Sequence, residues 1–299
     1  MPGLPIAQLA IYAPLTLPVL YLLYTHGRHG FLAWAYLLAF CILRMTGGAL
    51  AVSDPTNAGA QIISSIGLSP MLLSLEGVLH EARVYATPYL NRKLEYTFMG
   101  FFHVLVATGV AMVGVGAGGL VSNKPKDRDS DLSDVKVGMA LLEASWAILV
   151  LWALWTVWTG SSGHANKESA PASAAAGGSS SIKEGRILLT ATLLALPLLE
   201  ISVIYTFVAE YTQRADLNPS TGTLAVRVVL GFLPELIAAL VLVLAGIRTR
   251  GVNSRRVGEV QQGQHGHRAR RGSSTKKKKG GRRSHSRSRS QSVRRDAWV

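Results

Sequence analysis

Seven stretches of this chain are each long and apolar enough to cross a lipid bilayer, and no other feature narrows its possible folds as much. The hydrocarbon core is about 30 Å thick and a helix rises about 1.5 Å per residue, so a spanning helix needs roughly 20 mostly apolar residues. The stretches run Ile6 to Tyr24, Phe31 to Val52, Ala58 to Leu79, Phe98 to Val121, Val137 to Thr159, Ile187 to Ala209 and Leu224 to Ile247. A spanning strand needs only about 9 to 11 residues and alternates apolar with polar; these stretches do neither. As core helices of a soluble protein they would need polar faces toward water, and little such surface separates them. Turn-forming residues fill several connectors: His26-Gly27-Arg28, Asp54-Pro55-Thr56-Asn57 and Asn218-Pro219-Ser220-Thr221-Gly222. The expected fold is all-α: a polytopic membrane protein with seven transmembrane helices in a bundle. The first stretch has no Lys or Arg before it and no small-residue cleavage site after it, so it reads as a retained span, kinked at Pro14 and Pro18.

Charge divides the chain in two. Residues 1–247 hold 14 Lys/Arg against 15 Asp/Glu, whereas residues 248–299 hold 17 against 2. The first part is expected to be the seven-helix domain, and the second a disordered basic cytosolic tail with almost nothing apolar to bury. Seventeen cations hold that tail in the cytosol, and seven crossings then put the N-terminus outside. The short loops agree only weakly, with seven basic residues inside and five outside. A basic segment beside a bilayer attracts anionic lipid, at about 1 kcal/mol per cation near the surface. Lys276, Lys277, Lys278, Lys279, Arg282 and Arg283 are the expected contacts, and the serines among the arginines offer phosphorylation as a release. Nucleic acid is the less favoured partner of the tail. Residues Ser161 to Ser181, rich in Ala, Gly and Ser, read as a flexible linker.

Ionisable groups inside spans cost about 2.5 to 3.5 kcal/mol each on insertion scales and turn toward the bundle interior. Counting about 1.5 Å per residue from the expected cytosolic ends puts Arg44, Glu143, Glu200 and Glu235 in one slab, on the second, fifth, sixth and seventh spans. One arginine among three carboxyls suits proton-coupled transport or a protonation-dependent switch in helix packing; a structural salt bridge with protonated acids beside it is the alternative. Glu76 and His103 fall nearer the cytosolic face. On the third span Gln61, Ser65, Ser69 and Glu76 follow three- and four-residue steps along one face, which places that helix centrally, kinked at Pro70.

Arg44 with Gly47-Gly48, Ser53-Asp54-Pro55-Thr56-Asn57, the run Ser64 to Pro70, and Leu217-Asn218-Pro219-Ser220-Thr221-Gly222 ahead of a span containing Glu235 form a recognisable set. Together they resemble a family of fungal seven-helix integral membrane proteins of unknown function. That family is loosely similar to fungal lipid-translocating exporters and drug-resistance proteins, and to rhodopsin-like fungal membrane proteins. The resemblance covers residues 1–247. It implies a membrane bundle and assigns no chemistry.

Other signals exclude more than they propose. The last span has no lysine for a retinal Schiff base. His80 and His103 at span ends, and His26 and His29 in a loop, do not make the clustered ligand set of a zinc hydrolase. The lone Cys41 allows neither an internal disulfide nor a cysteine zinc site. Gly114 to Gly119 lies inside an apolar span, so close helix packing through Gly114 and Gly118 replaces any phosphate loop. Glu81-Ala82-Arg83-Val84-Tyr85 reads as a polar helix end rather than a receptor-type lock, and Trp155 and Trp158 as interfacial. The expectation is a non-enzymatic multi-pass protein of the plasma membrane or an endomembrane, without cofactor. Its role is that of a transporter or exporter of a lipid or small molecule, or alternatively a receptor-like sensor with cytosolic output.

Overall fold

Gly27, at φ 62° and ψ −150°, turns the first 51 helical residues into two helices. That left-handed backbone suits a residue without Cβ, and the break falls there, not at Pro14 or Pro18, through which the helix runs. The computed structural model describes residues 3–54, 57–86, 91–121, 128–162, 172–219 and 221–251, except the side chains at 28, 29, 58, 64, 65, 121, 160–162 and 172–180. The basic tail, Lys276 to Arg283 included, lies outside the described residues.

The helices are α1 (Gly3–Gly27) and α2 (Gly30–Ser53), α3 (Ala58–Ile66), α4 (Ser69–Ala86), α5 (Arg92–Val121), α6 (Arg128–Ser162), α7 (Ala172–Thr212) and α8 (Leu224–Thr249). A short 3-10 turn, Ala215–Leu217, leads into α8. No strand occurs among the described residues. Six helices are long and apolar enough to cross a membrane: α1, α2, α5, α6, α7 and α8. Large apolar side chains such as Leu17, Val104, Val115, Leu151 and Leu244 stay exposed, as a lipid-facing surface requires.

The third stretch departs from expectation. It is two helices, broken at Gly67-Leu68. Asn57 caps α3 by accepting the Ala60 N–H at 3.1 Å. The chain restarts when Met71 and Leu72 N–H both donate to the Leu68 carbonyl at 3.1 Å. Pro70, with no N–H to lose, fits the first turn of α4. The polar stripe is therefore divided: Gln61 and Ser65 ride on α3, and Ser69 and Glu76 on α4. Ser65's side chain lies outside the described residues. α4 carries Glu76, Glu81 and Arg83 in 18 residues and is buried along most of its length, so it is too polar to be counted as a span by composition alone. It packs between the α1–α2 pair and α7.

Two further expectations are corrected. Residues 172–181 are helical and extend α7 backward, so the Ala/Gly/Ser run is not a linker throughout. On α5, Gly114 and Gly118 face nothing within 4 Å; Gly109 and Gly116, seven residues apart, let the backbones of α5 and α6 meet, at Gly138 and Asp131 respectively.

In α8, Arg227–Phe232 adopt π geometry. Pro234 explains the position. It has no N–H for the Leu230 carbonyl four residues back, and its ring displaces that carbonyl. The Ser202 hydroxyl on α7 donates to the Leu230 and Gly231 carbonyls, at 3.1 and 3.2 Å.

Candidate functional site

The slab of four expected residues resolves into two pairs. Arg44 on α2 donates to Glu235 on α8 at 2.6 Å, with both side chains at most 8% exposed. Phe40 lies under the guanidinium at 5.5 Å, and Tyr12 packs edge-on against Phe40 and Phe232. Gly67, at the break between α3 and α4, lies against the arginine; a Cβ there would come within 3.2 Å of the guanidinium. Arg44 Nε and the Tyr12 hydroxyl have no hydrogen-bond partner among the described residues. The second pair is Glu143 on α6 and Glu200 on α7, whose carboxyls adjoin one another, each leaving a buried Oε2 without a partner. Arg44 thus meets one carboxyl, and the other two meet each other.

Glu76 is 2% exposed, and its Oε2 also has no partner. His103 stands near it, around Tyr36: the two rings are 5.4 Å apart, and Tyr36 lies within electrostatic reach of Glu76. His103 Nδ1–H donates to the Met99 carbonyl at 2.8 Å, leaving a buried Nε2 unpartnered. Ser69 donates to the Ile66 carbonyl at 2.7 Å and helps to close the helix break.

The richest polar interior was not expected. It lies at the end of the bundle where α1, α4 and α8 finish and α5 begins. Glu81, fully buried, accepts from the Tyr85 hydroxyl at 2.7 Å and from Trp34 Nε1–H at 3.3 Å. His26 Nε2–H donates to the Gly246 carbonyl at 3.0 Å, and its Nδ1 lies 2.6 Å from Glu81 Oε1. One carboxyl thereby ties α1, α2, α4 and, through the imidazole, α8. Beside it Arg83 donates to Glu95 at 2.7 Å and to the Thr156 hydroxyl at 2.6 Å. His80 Nδ1 adds a contact to the other Glu95 oxygen at 3.2 Å. The Arg83 guanidinium lies 4.7 Å from the Trp152 ring, which stacks on Phe98 at 4.1 Å. Glu81-Ala82-Arg83-Val84-Tyr85 is therefore a polar helix end whose Glu81, Arg83 and Tyr85 are buried and hydrogen-bonded; His26 belongs to α1 and not to a loop. The acid-x-Arg-x-Tyr spacing was the available signal. Trp155 and Trp158 are exposed, consistent with an interfacial position.

Among the described residues no group of three or more His, Cys, Asp or Glu is placed to hold a metal. What the interior offers is charge and protons: two tied clusters at one end, and one ion pair plus several unpartnered polar atoms deeper inside.

Six long apolar helices, together with a polar, buried α4, define a multi-pass α-helical membrane protein. Residues 2–252 match the family described as a domain of unknown function (DUF7702), and the chain belongs to that family. No curated protein and no solved structure matches it.

Proposed function

We propose that the protein is a transporter or exporter of a lipid or another small molecule, in the plasma membrane or an endomembrane. In this reading α3 and α4 together complete a seventh crossing, the N-terminus faces outward, and residues 248–299 form a cytosolic tail that contacts anionic lipid. No step of enzymatic chemistry is required. The observation that carries the reading is the surrounding of the Arg44–Glu235 pair. It is closed off between α2 and α8, beside two of the places where helices depart from α geometry, Gly67-Leu68 and Arg227–Phe232. Interrupted helices that place charge deep in the bilayer are a recurrent feature of transporter binding sites, and intramembrane ion pairs mark conduction paths more often than they add stability. A proton that neutralised Glu235 would release Arg44, and the broken backbone would let α2 and α8 part.

The test is flux through liposomes containing only this protein, read with a fluorescent phospholipid and with a pH-sensitive dye. Transfer above that of empty liposomes, reduced roughly tenfold by Glu235→Gln, is the expected result; a contribution of about 1.4 kcal/mol is a factor of ten. Flux equal to that of empty liposomes overturns it. The sensor reading then gains, supported by the buried polar cluster at Glu81 and Arg83, which couples four helices at the end from which α8 leads into the tail.

A further inference from the structure

Beside the π segment, α7, α8 and the Ala215–Leu217 turn border a cavity of about 330 Å³ that opens on one side, lined by the exposed Ile201, Ile204 and Val208 and by Tyr205, Leu217 and Leu230. Five of the six are aliphatic. The sixth brings a hydroxyl that is buried and has no hydrogen-bond partner among the described residues, although Tyr205 as a whole is only 6% exposed. A buried hydroxyl without a partner is unfavourable, and this one belongs to a residue in the wall of an apolar cavity.

A cation stands beside it. Arg227, half-buried, lies within electrostatic reach of Tyr205. Its Nε–H donates to the Pro219 carbonyl at 3.0 Å, and no carboxylate pairs with it among the described residues. Glu235, also within reach of Tyr205, is engaged with Arg44. The floor is built rather than loose. Thr223 N–H donates to the Asp216 carbonyl at 3.0 Å, and Gly222 N–H to the Asn218 carbonyl at 2.8 Å. Asn218 Oδ1 accepts the Thr221 N–H at 2.9 Å. A Cβ on Gly222 would run into the carbonyls of Asn218 and Asp216. The motif Leu217 to Gly222, which the transport reading leaves without a task, thus holds Leu217 and Arg227 in position.

We propose that this cavity binds a single acyl chain with an anionic head group, the chain among the aliphatic residues and the head group on the Tyr205 hydroxyl and the Arg227 guanidinium. The volume is at the small end of ligand sites, which fits one chain and not the two of a bilayer phospholipid. A cation with terminal N–H groups to spare selects an acid over an alcohol or ester. The site deepens the transport reading by naming a class of cargo, and binding is measured without flux, so either can fail alone.

The experiment uses full-length protein in nanodiscs of neutral lipid. The probes are dodecanoic acid labelled with a fluorophore at the chain end, and its methyl ester. Saturable binding of the acid is expected. Ile204→Trp, which fills the cavity, and Arg227→Gln should each weaken it by about tenfold or more, the scale of one charge-assisted hydrogen bond. Arg227→Gln should leave the ester unchanged, and Tyr205→Phe should weaken the acid several-fold. Thermal melting identifies a variant that has merely unfolded; Tyr205→Phe and Arg227→Gln, small changes near a loop, keep the test decisive if Ile204→Trp does. Equal binding by wild type and all three variants overturns the site. So does equal loss of acid and ester in Arg227→Gln, which would mark an unselective greasy cleft. Displacement of the acid by anionic diacyl phospholipid, with no selectivity for the single chain, also overturns it in favour of an ordinary lipid contact.

Discussion

The two ends of the polar interior are put together differently. Where α1, α4 and α8 finish, Glu81 and Glu95 collect donors from His26, Trp34, Tyr85, His80 and Arg83, and none of these groups is left with an unpartnered buried atom. Deeper in the bundle the pattern reverses. Arg44 and Glu235 are paired, yet Arg44 Nε, both tyrosine hydroxyls, Glu76, His103, Glu143 and Glu200 each keep a buried polar atom without a bond among the described residues. Fully satisfied buried networks rigidify, whereas partly satisfied ones are costly and persist where something else uses them. The first region is accordingly the clamp of the bundle; in the transport reading proposed above, the second is the part that binds and moves.

The largest expected effect breaks the clamp. Glu81→Ala removes the acceptor of three donors and leaves the His26 and Trp34 N–H groups buried; removing one member of such a network costs about 3 to 5 kcal/mol. Thermal unfolding in detergent should show a large drop in melting temperature, with Arg83→Ala close behind. A drop no greater than that of a surface substitution would erase the distinction between the regions. Next comes Arg44→Met combined with Glu235→Leu, a replacement that fills the same space without charge. Such exchanges are often neutral or stabilising, so the melting temperature should hold while flux in liposomes disappears. Loss of both would make the pair structural, a member of the clamp.

How far the sequence foretold this difference depends on what each residue needed. Six spans were legible because length and apolar content are local properties, and the break near Pro70 left a visible mark. The height of Arg44, Glu143, Glu200 and Glu235 in the bundle could be counted from helix ends, but height does not fix direction around the helix axis. Four residues at one level therefore became two pairs. The same blindness to direction exchanged Gly114 and Gly118 for Gly109 and Gly116. The clamp escaped because its partners are remote: Glu81 meets His26, 55 residues away, and His26 meets Gly246, 220 residues away. Glu95, three residues into α5, lies ahead of the apolar stretch that marked the span. The π segment went unread although Pro234 was there to be seen: its missing N–H frees a carbonyl that only the packed structure shows passing to Ser202.

That substitute bond gives the third prediction. Ser202→Ala leaves the Leu230 carbonyl unmade and should cost about 1 to 2 kcal/mol, read as a lower melting temperature. If the bond also holds the cavity open, binding of the labelled acid should weaken in parallel. A melting temperature unchanged from wild type would mean that the π segment is kept by Pro234 alone. Tyr12→Phe tests the other side. It deletes a buried hydroxyl that has no partner, so stability should stay level or rise by up to about 1 kcal/mol. A clear loss would show that Tyr12 has a bond in the working protein and that the deep region is better satisfied than the geometry indicates.

The smallest expected effect lies outside both regions, in the loop that floors the cavity. Arg214 donates twice to Asp216, at 3.0 and 2.7 Å, and holds the Asp216 carboxyl below the ordinary carboxylate range. A depressed acid contributes to stability only while it is ionised. The contribution is present above the carboxyl's unfolded-state value and fades as pH falls through its lower folded-state value. Because the pair is fully exposed, solvent and salt screen it, and Asp216→Asn should barely move the melting temperature at neutral pH. What it should change is the acid side: a slight fall in wild-type stability below the usual carboxylate range that the variant lacks. The Asp216 backbone carbonyl, which accepts from Thr223, is untouched by the substitution, so binding of the labelled acid at neutral pH should be the same in both. A binding loss in Asp216→Asn would place this exposed pair among the parts that position Arg227, and the boundary between clamp and working region would have to be drawn around the loop as well.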